Sequence, residues 1–157
     1  PEYASAEYTF RSPDSRYLAQ VVKLLHDCAK GAAMATQTSV EIVKYAPSLD
    51  SMKPNPAGTA MLEEIFAAQG LPVFKGEDEN IGSSDIGNVS FRCAAFHPTI
   101  SISDEDIPCH TREFAAKMKE KDIERVISTG ARIICEMAVR SVYEPERLEA
   151  IRRDFRK

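Results

Sequence analysis

The sequence predicts an α/β protein, and three observations carry that expectation. Residues 2–11 alternate, with Ala4, Ala6, Tyr8 and Phe10 on one side and Ser5, Glu7, Thr9 and Arg11 on the other, which is the period of a half-buried strand. From Ser15 to Met34 apolar residues recur as Leu18, Val21, Val22, Leu25, Cys28, Ala29, Ala32 and Ala33, the spacing of one face of an amphipathic helix. Residues 39–46 are rich in β-branched and aromatic types and read as a second strand. Strand, helix and strand in succession form a βαβ-type unit with both strands in one sheet.

Each further element has its own local reason. Ser12-Pro13-Asp14-Ser15 breaks the first strand and offers capping oxygens to the helix that follows. Pro47, Pro54 and Pro56 punctuate a linker, and a domain boundary falls there, between 1–53 and 54–157. Asn55-Pro56 has the form of an N-cap followed by proline at the first helical position. The helix it starts carries Met61, Leu62, Ile65 and Phe66 and stops at Gly70. Short strands are predicted at Leu71–Phe74, Val89–Cys93 and Thr99–Ile102, with a polar loop, Gly76–Asn88, between the first two. Helices complete the chain at about Thr111–Met118, Asp122–Val142 and Pro145–Arg156. The expected architecture is two unequal α/β pieces.

Composition limits the function classes. Lys and Arg total 20 against 24 Asp and Glu, so the net charge is −4, which argues against nucleic acid, whose binding needs a basic footprint to displace counterions. No apolar run nears the length of a membrane span, and no signal-peptide pattern opens the chain. Cys28, Cys93, Cys109 and Cys135 are widely spaced, make no CxxC pair and suggest no disulfide framework, so a reducing cytoplasm is the expected setting. Cys28 and Cys135 fall where a helix is expected to bury a small residue. The chain begins with Pro1 rather than Met, and processing, a trimmed tag or a fragment each account for that.

Three features offer chemistry. The loop Gly82–Ser90 gathers Ser83, Ser84, Asp85 and Asn88 with two glycines, suiting either a pocket wall at a strand terminus or a solvated turn. His97 and His110 each lie in a loop beside a proline, near Asp85, Asp104, Glu105 and Asp106, and neutral imidazole there suits a transition metal. One histidine is not a site, since zinc takes about three or four protein ligands. The basic C-terminal cluster of Arg147, Arg152, Arg153, Arg156 and Lys157 alternates with acids and reads as a solvated helix. There is no GxSxG elbow, phosphate-binding glycine loop, HExxH or dinucleotide fingerprint, so the residues alone name no reaction.

Three separated runs carry a resemblance: SAEYTFRSPDSRYLAQVVKLLHDCAKGAAMAT, GSSDIGNVSFRCAAFHPTISI and CHTREFAA. In register, they resemble the dinuclear-zinc amidohydrolases of the aminoacylase metallopeptidase family, above all the branch of aminobenzoyl-glutamate hydrolase B subunits and aminoacyl-amino-acid dipeptidases. The resemblance implies a catalytic α/β domain with a βαββαβ lid and dimerisation domain inserted in it. Residues 1–53 would be the second half of that lid and 54–157 the C-terminal part of the catalytic domain. It further implies His110 as a metal ligand, and Asn55, Ser83, Ser84, Asp85 and His97 as substrate-pocket residues; for Asn55 a plain helix cap stands as the alternative. The chain departs from the family where Cys109 precedes the ligand histidine in place of glycine, and where Arg92 stands at a commonly apolar position.

The implied cofactor is a pair of zinc ions, with manganese as the alternative metal. The implied reaction is attack of metal-activated water on the amide of an N-acyl or aminoacyl amino acid, or of an aminobenzoyl-glutamate-like substrate. The general base and remaining ligands would belong to sequence preceding Pro1, so no catalytic residue is expected in this chain. A fragment inactive by itself, and dimeric through the lid, is the expectation. A stand-alone dimerisation or small-molecule-binding module is the alternative, and a small metal-binding protein using His97, His110 and Cys109 is the third.

Overall fold

The computed structural model describes residues 2–73, 84–105, 107–119 and 123–157. They divide into two compact units, one running to Met52 with residues 84–88, the other holding residues 53–73 and those from Val89 onward. Each has its own local logic.

The first unit is organised by helix α1 (Ser15–Thr36). Asp14 caps it: the carboxylate accepts hydrogen bonds from the backbone N–H of Arg16 at 2.7 Å and of Tyr17 at 3.1 Å. Those two amides hold the Asp14 carboxyl below the ordinary aspartate range. The helix ends at Gln37, whose left-handed backbone (φ 55°) turns its N–H back onto the carbonyls of Ala33 and Met34. The short helix α3 (Ile86–Ser90) carries Asn88, which clamps the chain at 48–50. Asn88 Oδ1 accepts from the Asp50 N–H at 3.0 Å, and Asn88 Nδ2 donates to the Ser48 carbonyl at 3.1 Å. Gly87 permits the approach, because a Cβ there would run into the Asp50 carbonyl.

The second unit is built on α2 (Pro56–Ala68), α5 (Ile123–Tyr143) and α6 (Pro145–Phe155), which pack pairwise. Met61 and Ile65 of α2 meet Ile133 of α5 and Ile151 of α6, and these four make the buried apolar core of the described residues. Phe66, Phe96, Ile100 and Met137 pack around it. Gly58 lets α2 seat against the Phe96 ring, which a Cβ at that position would overlap. Gly70, at φ 69°, takes the left-handed conformation after α2 that glycine adopts without steric cost.

Charge ties the rim of the same three helices. Glu64 receives Arg147 at 2.9 Å and Arg140 at 3.3 Å, while Arg140 also meets Glu136 at 2.6 Å and Arg147 meets Glu144 at 2.6 Å. The Arg147 hydrogen bond holds the Glu64 carboxyl below the usual glutamate range. Of the basic C-terminal residues, Arg152 pairs with Glu149 and Lys157 with Asp154, at 2.7 Å each.

The α/β expectation is overturned. The described residues are all-helical, with no strand and no sheet among them. Residues 2–11 and 39–46 carry no strand assignment, and every one of them is exposed. Between them, the Thr9 and Tyr45 side chains meet, Oγ1 to OH at 3.2 Å. Alternation marks two faces of an extended chain, but a strand exists only where a neighbour takes its N–H and C=O groups and one face is covered. Neither condition is met here: Tyr8 is 68% exposed and Val43 67%. Val89 and Ser90, expected in a strand, finish α3, and Leu71–Val73 and Thr99–Ile102 have no regular structure; Phe74 lies outside the described residues.

Candidate functional site

His110 stands on a built turn. Thr111 caps helix α4 (Arg112–Lys117), accepting a hydrogen bond from the Phe114 N–H at 3.1 Å. The same hydroxyl donates to the Pro108 carbonyl at 2.8 Å. One side chain therefore ties both ends of the turn through Cys109 and His110. His110 itself is exposed and sits in left-handed backbone at φ 65°. That conformation is costly for a residue with a Cβ, and such outliers concentrate where geometry is used.

A cleft of about 590 Å³ lies beside this turn, lined by Glu105, Ile107, Pro108 and Thr111 and by Glu113, Ala116 and Lys117 of α4. Its chemistry is an apolar floor with two carboxylates and one ammonium, the latter 3.4 Å from Glu105.

Asn55 is 6% exposed and its amide is committed to the fold. Oδ1 accepts from the Gly58 N–H at 3.0 Å, capping α2, and Nδ2 donates to the Ile151 carbonyl of α6 at 2.9 Å. Asp154 adds a second cap, accepting from the Ala57 N–H at 2.9 Å. Its carboxyl is held below the ordinary aspartate range by the Lys157 hydrogen bond first and that amide second. Asn55→Ala should therefore cost about 1–3 kcal/mol, removing the cap and leaving the Ile151 carbonyl without its donor. The shift of the urea midpoint measures it, and an unchanged midpoint would contradict this double role.

The other expected residues are distributed. His97 is exposed in a loop of the second unit. Ser84 and Asp85 are in the first, forming a local turn in which Ser84 Oγ accepts from the Ile86 N–H at 3.3 Å and donates to Asp85 at 3.5 Å. Ser83 lies outside the described residues. All four cysteines are exposed, which corrects the expectation of burial for Cys28 and Cys135: both fall on the outer sides of their helices.

Among the described residues, no three or more His, Cys, Asp and Glu side chains come together as a metal-binding group. His110 is one candidate donor, and these residues do not by themselves make a site for two zinc ions. Sequence reasoning missed Asp154 as a cap of α2 and Thr111 as the tie of the histidine turn. The Thr-x-x-Phe spacing signals only a cap, and the reach of Asp154 across 97 residues has no local signal at all. No helix among the described residues is long and apolar enough to cross a membrane.

No protein-family model matches the chain. Aligned over 160 positions that take in 99% of its residues, it is 29% identical to a human (Homo sapiens) protein named Xaa-Arg dipeptidase. The mouse (Mus musculus) protein of the same name is 28% identical over the same share. The chain spans only 36% of the human relative's length and 37% of the mouse one's. Across nearly all of its residues, then, this chain is similar in sequence to dipeptidases.

Proposed function

We propose that the chain serves a metal-dependent hydrolase that cleaves the amide bond of a dipeptide or related aminoacyl amino acid. The similarity of 99% of its residues to proteins named Xaa-Arg dipeptidase is the observation that carries this reading. The exposed imidazole of His110, held on a turn at a backbone cost, supports it. In this reading His110 donates one nitrogen to a metal, zinc or manganese, and other residues supply the remaining ligands. Residues 54–157 contribute to the catalytic part, and residues 1–53 to a lid through which two copies pair.

The relatives' name and the cleft support an arginine-ending dipeptide as the substrate class. A dipeptide ending in arginine brings an aliphatic stem and a cation, and the cleft beside the histidine turn offers Ile107, Pro108 and Ala116 with Glu113 and with Glu105, the latter already paired with Lys117. Guanidinium pairs with carboxylates in planar geometry, which favours arginine over a neutral residue at that end.

The test is hydrolysis of an alanyl-arginine dipeptide by the gene product that contains these residues. Activity is expected to vanish on chelation and to return with zinc or manganese. Alanyl-leucine should be cleaved at least roughly tenfold less efficiently, because it brings no cation to the cleft. Full activity in excess chelator, or no hydrolysis of any dipeptide or N-acyl amino acid, would overturn the reading.

A further inference from the structure

The cleft beside the histidine turn holds a cation of its own. Helix α4 carries Glu113 and Lys117 four residues apart, so both fall on one helical face, and both line the cleft with Glu105. Lys117 Nζ lies 3.4 Å from the Glu105 carboxylate. The two partners are unequally placed, the Lys117 side chain being 20% exposed and that of Glu105 72%. A lysine covered along its stem keeps its ammonium at the cleft wall, while the acid beside it stands mostly in water. The pair is also longer than the roughly 2.7–2.9 Å of a tight charge-assisted hydrogen bond. An ion pair so placed is weak and exchangeable.

We propose that Lys117 is a built-in competitor for the cationic end of the substrate and sets how strongly the cleft retains arginine. The choice of arginine rests on the dipeptidase reading above, whereas the competition rests on the ion pair itself. A guanidinium reaches Glu105 only by displacing Lys117, so it gains the difference between its own pairing and the one it breaks. Its planar fork forms two parallel bonds to a carboxylate, where an ammonium acts as a point charge, and the exchange therefore favours arginine. A neutral residue displaces nothing and gains nothing there. The same competition acts after hydrolysis of the dipeptide, when Lys117 returns to Glu105 and helps the arginine product to leave. Lys117 is thus a specificity-determining residue that holds the affinity for arginine below what the carboxylates alone would provide.

The test is a double-mutant cycle in the gene product that contains these residues, read by calorimetric binding of free L-arginine and by alanyl-arginine hydrolysis. Lys117→Met keeps the apolar stem and removes the charge. It is expected to tighten L-arginine about fivefold and to lower KM for alanyl-arginine by a similar factor, the change falling in KM rather than kcat. Lys117→Gln should do the same, and circular dichroism selects the variants with wild-type helicity. In a Glu105→Gln background Lys117→Met should gain less than about twofold, because no carboxylate is left for it to release. A gain from the mere loss of a positive charge would persist there. The inference is overturned if the folded Lys117 variants leave arginine affinity unchanged or weaken it, if the gain survives Glu105→Gln, or if neither wild type nor variant binds L-arginine. Tightened arginine binding without hydrolysis of any dipeptide upholds the inference and overturns the proposed activity instead.

Discussion

Met61→Ala is expected to lower the stability of the second unit by about 2–5 kcal/mol, and Ile65→Ala by a similar amount. Both side chains are fully buried, and with Ile133 and Ile151 they make up the whole buried apolar core of the described residues. Truncation loses the transfer energy of the removed carbons and leaves a cavity where α2, α5 and α6 meet. The rim ion pairs do not compensate: Glu64 is half in solvent, and pairs so placed contribute little under screening. A typical domain has about 5–15 kcal/mol to lose in all, so either substitution should make the unit marginal. Urea unfolding followed by circular dichroism measures the change, with Arg153→Ala as a surface control expected within about 0.5 kcal/mol. A loss below about 1 kcal/mol for Met61→Ala would show that this cluster is not what holds the three helices together.

His110→Ala is expected to reduce kcat/KM for dipeptide hydrolysis by about 100-fold or more in the gene product that contains these residues. His110→Gly separates the two roles the residue combines. Glycine adopts φ near 65° without the Cβ penalty, so this variant should gain roughly 0.5–1 kcal/mol of stability while losing the imidazole. More stable and inactive is the signature of a ligand held at a backbone cost. Should His110→Gly keep wild-type activity, the histidine serves only the turn. Thr111→Val belongs to the same experiment, since it removes the hydroxyl tie to Pro108 and Phe114 and is expected to impair activity while leaving the imidazole in place.

The helices were legible because their causes are local. Asp14 and Asn55 are capping residues at the right offsets, Pro56 suits the first turn, Gly70 suits the exit, and Thr111 opens α4. Helical hydrogen bonds close within four residues, so a sequence window contains both partners of each. The strands were misread for the complementary reason. Tyr8 and Phe10 stack on each other at 6.0 Å, and residues 39–46 have the composition of a strand, yet both segments are exposed and form no strand. Alternation says that a segment suits a sheet, and the partner that would make it a strand is not encoded within it.

Of the candidate site, sequence named the residues and the fold assigned their work. His110, Asn55 and Asn88 were all singled out as polar groups in or near loops. Only the structure separates them: Asn55 joins α2 to α6, Asn88 clamps 48–50, and His110 stands exposed on a strained turn. By itself the sequence determined the charge, the helix starts and stops, the apolar face of α2 and the similarity to dipeptidases. The tertiary structure alone decided that no described segment forms a sheet and that Asp154 reaches back to Ala57. The division is physical: caps and helical faces depend on neighbours a few residues away, whereas ladders, cores and long-range caps depend on groups that meet only after the chain has folded.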